Sequence, residues 1–148
     1  MSTEHETRKR IVVGVDGSRL SLQALWKARR LAEVLDCSLQ VVTVWEHSVA
    51  LTSPIPSETW SPHVEAEHAL SEAVAEAFGA DLPADMELTA LVGKPVKLLI
   101  EASRGAEMLV VGNRGHGGFA GLLLGSVSSA LAAHARCPVL IVHRLESD

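Results

Sequence analysis

Cysteine is scarce in this chain: Cys37 and Cys137 are the only two, a hundred positions apart and in no metal-ligand spacing. That excludes a disulfide framework and a zinc site of the Cys-x-x-Cys kind, and fits reduced thiols in a cytoplasmic protein. Tyrosine is absent and aromatic residues amount to 3%, too few for a platform on which nucleic-acid bases stack. Basic residues are outnumbered, 13 Lys+Arg against 18 Asp+Glu, and the net charge of −5 argues against a nucleic-acid partner. No apolar run approaches the ~18 residues of a membrane span. The opening MSTEHETRKR has no apolar stretch behind its charges and does not read as a secretory signal. No Gly-x4-Gly-Lys-[Ser/Thr] loop of the common nucleotide triphosphatases occurs.

What remains is a length of 148 residues, 47% of them hydrophobic, enough for one domain with its own core. Short apolar runs rich in Val, Ile and Leu occupy residues 11–15, 39–45, 86–92, 108–111 and 139–142. Several lack polar alternation, as strands do when a parallel sheet is covered on both faces. Helical spacing fills the intervals. Leu22, Leu25, Trp26, Ala28, Ala32 and Leu35 share one side of a helix that Ser18 can cap. Ala66, Leu70, Ala73, Val74, Ala77 and Phe78 define a second helix, which Gly79 closes. Pro95 opens a third, with Leu98, Leu99 and Ala102, and a fourth runs from Ser126 to His134.

The alternation predicts an α/β fold: a single doubly wound, five-stranded parallel sheet with helices on both faces. We expect a flexible N-terminal tail over residues 1–9 and one domain over 10–145. Residues 46–61 form a long proline-containing connection, for which a lid and a plain surface loop are both open readings.

Open parallel sheets bind ligands at the carboxyl ends of strands, where the strand order reverses. In a 3-2-1-4-5 order that point lies between the first and fourth strands. Gly14 and Val15 end the first strand, and Asp16, Gly17 and Ser18 follow it. After the fourth, Val111 leads into Gly112, Arg114, Gly115 and His116, and Gly125 and Ser126 then open a helix. Glycines let backbone amides approach a ligand closely, and a helix start adds unpaired N–H groups and partial positive charge. With hydroxyls on Ser126 and Ser128 and cationic contacts from Arg114 and His116, this is a cradle for phosphates.

The segments IVVGVDGS at residues 11–18, VGKP at 92–95 and VVGNRGHGGFAGLLLGSVSSALAAHARCPVLIV at 110–142 resemble the universal stress protein family, in its ATP-binding branch. The resemblance covers nearly the whole chain. It implies the 3-2-1-4-5 order, an adenine nucleotide, ATP with Mg²⁺, and usually a homodimer. It implies that Asp16 meets the ribose and that Val44 borders the adenine. Gly112 and Gly115 would wrap the ribose and first phosphate, and Gly125, Ser126 and Val127 would take the outer phosphates, with Ser128 a weaker candidate. Asn113 stands where the family commonly has Ser, and His116 where a basic or small residue is usual.

The remaining residues read more plainly. Asp16 could also cap the first helix in competition with Ser18. His63 and His68 are five apart, not the close i,i+4 pair of a helical metal site, and no metal site is expected. Trp26, Trp45 and Trp60 read as packing residues, and the glutamates at 65, 67, 72 and 76 as a solvated helix face. A phosphoacceptor receiver would need a second acid after the first strand, and a flavodoxin its phosphate loop there; neither occurs. No catalytic residue is assigned, and at most weak ATP hydrolysis is expected. The alternative is a dimeric regulatory or scaffold module that does not depend on nucleotide, pairing through the last strand from Val139 to His143.

Overall fold

The computed structural model of the protein describes residues 9–46, 62–83, 85–113 and 125–143. Along the chain run β1 (Arg10–Gly14), α1 (Arg19–Leu35), β2 (Ser38–Trp45), α2 (Pro62–Phe78), β3 (Met86–Val92), α3 (Pro95–Ala102), β4 (Met108–Gly112), α4 (Ser126–His134) and β5 (Val139–Val142). The strands form one parallel sheet in the order β3-β2-β1-β4-β5, as the alternation and the resemblance implied. Most of the tail expected over residues 1–9 and all of residues 47–61 lie outside the described residues.

Both faces of the sheet are covered, which explains the unbroken apolar strands. Ile11 and Val13 of β1 point into one core with Leu25, Ala28 and Ala32 of α1 and Leu70 and Val74 of α2. Val12, between them, points the other way and joins Leu99 of α3, Leu109 and Val111 of β4 and Leu131 of α4. All three β1 side chains are fully buried, each stabilising the sheet by about 1.5–3 kcal/mol relative to an exposed position.

Local chemistry sets the helix ends. Ser18 caps α1, its Oγ accepting the Ser21 N–H at 3.2 Å, and Asp36 ends the helix in the left-handed conformation at φ 55°. Pro95 starts α3, whose carboxyl end is held from another element: the Arg10 guanidinium donates to the carbonyls of Ala102 and Arg104, both at 2.9 Å.

One packing expectation is corrected. Trp26 is 59% exposed and Leu35 46%, while Ser21 and Ala24 join the buried face of α1 instead. The helix rests on the sheet through Ser21, Ala24, Leu25, Ala28 and Ala32, and Trp26 lies on its flank, where its indole N–H donates to the Ala77 carbonyl at 2.6 Å. Beside it, Arg29 lies 4.9 Å from the centre of the Phe78 ring and reaches Asp81 at 3.1 Å, so the α1–α2 contact is partly polar.

Candidate functional site

The reversal of strand order between β1 and β4 opens a crevice at their carboxyl ends, because the next helices leave toward opposite faces. Contacts of three kinds join the two sides. A Cβ built on Gly14 would lie 3.3 Å from a Val111 methyl, placing the ends of β1 and β4 against each other. A Cβ on Gly112 would lie 3.1 Å from the carbonyl carbon and oxygen of Leu20, so the end of β4 touches the first turn of α1 directly. The Ser128 hydroxyl donates to the carbonyls of Gly112 and Asn113 at 2.7 and 2.8 Å, fastening α4 to the end of β4.

On the β1 side, the turn after Val15 is built from its own hydrogen bonds. Val15 N–H donates to the Val42 carbonyl at 2.8 Å, which extends the β1–β2 ladder one residue beyond the strand. Asp16 is exposed; its Oδ1 accepts the Ser18 N–H at 2.9 Å, while its own N–H donates to Ser21 Oγ at 3.3 Å. Gly17 holds φ +86°, a conformation costly for other residues. Of the two capping candidates, Ser18 takes the cap. Asp16 braces the turn in front of it with its carboxylate at the surface.

The α4 side presents backbone donors. Asn113 N–H donates to the Val142 carbonyl at 2.8 Å, and the Asn113 carbonyl accepts the Gly125 N–H at 3.0 Å, so the end of β4 is clasped to the helix start. Gly125 is the N-cap residue and supplies no side-chain hydrogen bond; the first helical bond runs from Ser129 N–H to its carbonyl at 2.9 Å. The N–H groups of Ser126, Val127 and Ser128 thus form the first turn, which has no intrahelical acceptor. No acidic residue occupies that turn. An anion is the partner such a terminus favours, by about 0.3–1 kcal/mol per charge at an exposed site.

These positions contribute in different ways. The side chains of Val15 and Val111, 4% and 5% exposed, belong to the cores on opposite faces, leaving only their backbones for a ligand. Val44, near the end of β2, and Val127 are partly buried against the second core. Ser126 is exposed. Ser128 is 3% exposed and its hydroxyl proton is engaged internally, so its backbone N–H is what it can offer an anion. Arg114, Gly115 and His116 lie outside the described residues.

Two contributors carried no role in the sequence reading. Leu20 shapes the crevice through its carbonyl group and Cβ and leaves no sequence signal. Asn113 is the hinge of the clasp, and its Oδ1 is buried without a donor among the described residues. Its place directly after the β4 glycine was the available hint. Among the described residues no group of three His, Cys, Asp or Glu side chains could hold a metal ion, and no helix is long and apolar enough to cross a membrane.

Comparison with known proteins places this geometry among relatives. The model of the universal stress protein family matches residues 7–143. A universal stress protein of Mycobacterium tuberculosis is 41% identical over 140 residues, covering 90% of this chain but 47% of that protein. The chain therefore spans about half the length of the curated relatives it matches. A crystal structure of a universal stress protein in complex with cAMP is 34% identical, with a TM-score of 0.66 over 92% of this chain and 97% of that one. The structure of the universal stress protein from Archaeoglobus fulgidus in complex with dAMP is 26% identical, with a TM-score of 0.62 over 90% and 97% of the two chains.

Proposed function

We propose a function from one premise: the chain belongs to the universal stress protein family. Our reading is an ATP-binding domain that acts as a nucleotide-dependent stress or signalling module, with hydrolysis slow at most. The observation that carries it is the start of α4, an uncapped helix terminus at Gly125 and Ser126 over the carboxyl ends of β1 and β4. The relatives crystallised with cAMP and dAMP support an adenine nucleotide as the ligand class.

In this reading the adenine lies beside Val44 and the ribose hydroxyls meet the Asp16 carboxylate. Gly112 lets the backbone approach the first phosphate, and the N–H groups of Ser126, Val127 and Ser128 take the outer ones. Arg114, Gly115 and His116 complete the proposed set. Mg²⁺ arrives with the nucleotide, where it would neutralise phosphate charge. Asp16 is the only acid in the segments at 11–18 and 108–128, and the turn after β1 already uses it, which favours a binder over an efficient ATPase.

Calorimetric titration of nucleotide-stripped protein with ATP and Mg²⁺, run beside Gly125→Val, tests the assignment. Binding in the parent, weakened at least tenfold (about 1.4 kcal/mol) in a variant that melts normally, is the expected result. Equal binding by the two proteins, or no heat in the parent, would overturn it. Since only ATP carries outer phosphates to the helix start, cAMP is expected to bind more weakly.

A second reading has its own observation. Among the described residues β5 ends the sheet order and pairs only with β4, leaving an apolar edge. A homodimer through this edge would serve as a regulatory surface with or without nucleotide.

A further inference from the structure

A groove of about 430 Å³ runs along α3. Four cations line it: Lys94, Lys97 and Arg104, on or beside α3, and Arg136, just before β5. Glu101 is the one carboxylate among the lining residues, and Val96 and Ile100 form an apolar floor. The cations are exposed, whereas the floor residues are partly buried against the second core. None of the four cations makes an ion pair with another described residue. A chain of net charge −5 thus gathers four of its 13 basic side chains around one apolar depression, against the single carboxylate of Glu101.

We propose that this groove docks a short acidic segment of a partner protein, with one or two aliphatic side chains seated on Val96 and Ile100 and flanking carboxylates on Lys94, Lys97, Arg104 and Arg136. Charge complementarity selects the sign of the occupant, and the recessed floor selects an aliphatic anchor. From Lys94 to Glu101 the helix rises about 10 Å, the span of three or four extended residues. A lipid surface fits less well, because membrane-binding faces project their apolar side chains instead of recessing them. Nucleic acid fits less well too, since the lining offers no aromatic side chain on which a base could stack. The groove descends from Lys94 toward Arg104 and Arg136, which precede β4 and β5. It therefore leads away from the crevice at the carboxyl ends of β1 and β4 and leaves that crevice open to a nucleotide.

The test uses a short fluorescein-labelled peptide in which two leucines are flanked by glutamates, titrated with the whole chain by fluorescence anisotropy. The expected result is saturable binding that weakens with salt, falls at least tenfold in Lys97→Glu/Arg136→Glu, and falls again when the leucines become serines. Amide resonances of Lys97, Ile100 and Arg136 should move on titration, and both mutated side chains are exposed, so thermal melting should hardly change. Absence of binding, equal binding by the double variant, or equal binding of the serine peptide overturns the proposal. Preferential capture of phosphatidylserine vesicles or duplex DNA by the same residues overturns it in favour of a membrane or a nucleic acid.

Discussion

Gly14 and Gly112 close two neighbouring strands, yet the absence of a side chain serves them differently. At Gly14 an added Cβ would meet the ends of Leu99 and Val111 side chains at 3.3 Å, and side chains can shift by a few tenths of an ångström. At Gly112 it would meet the backbone of Leu20 at 3.1 Å, and the first turn of α1 has little room to move. Gly112→Ala is therefore expected to lose roughly 1–3 kcal/mol of stability, and Gly14→Ala less than half of that. Urea midpoints of the two variants check the order; a milder Gly112→Ala would mean that α1 yields. Resemblance pointed to Gly112 as a phosphate contact. Its packing against Leu20 could not be read from sequence, because nothing local in residues 19–22 announces a neighbour some ninety positions away.

Among the elements, the turn between β1 and α1 divides two tasks between polar residues two positions apart. Ser18 accepts from Ser21 N–H and caps the helix, while Asp16 Oδ1 accepts from Ser18 N–H with its carboxylate at the surface. Ser18→Ala should cost about 1 kcal/mol through the lost cap. Asp16→Asn keeps an acceptor oxygen for the turn but removes the charge. It should leave the unfolding midpoint nearly unchanged while weakening nucleotide binding, as chemical denaturation and calorimetry on the pair would show. A large loss of stability in Asp16→Asn, with ATP affinity intact, would reduce Asp16 to a turn residue. The caps were legible because capping depends on residues three apart, and the Ser18 cap and the Pro95 start both stand where the spacing put them. The face of α1 was less legible. Ala24, Ala28 and Ala32 make a stripe so narrow that Trp26, one residue from buried Leu25, falls outside it.

For the whole molecule, the proposed assembly is tested at the β5 edge of the sheet. The carbonyls of Pro138 and Val142 accept from β4, so by strand alternation the N–H and C=O groups of Val139 and Ile141 point away from the sheet. If a second copy pairs there, Ile141→Pro removes an outward donor without touching the β4 ladder, a position where proline is tolerated. Light scattering should then show a dimer for the parent and a folded monomer for the variant, with some stability lost from the Ile141 side chain. A dimer that survives Ile141→Pro would direct attention to another surface.

The amino-acid sequence by itself determined the alternation of elements, the parallel sheet and the positions of the helix starts. Those features rest on periodicity and capping, interactions between residues a few places apart. Its resemblance to a family added the strand order and the candidate nucleotide contacts. Only the tertiary structure decided that Ser128 spends its hydroxyl on Gly112 and Asn113, that Asn113 clasps β4 to α4, and that Arg136 joins three cations on or beside α3 around one groove. The physical reason is common to all three. Crossover connections bring together residues distant in the chain, and which of them meet depends on strand order and helix packing, which no local pattern encodes.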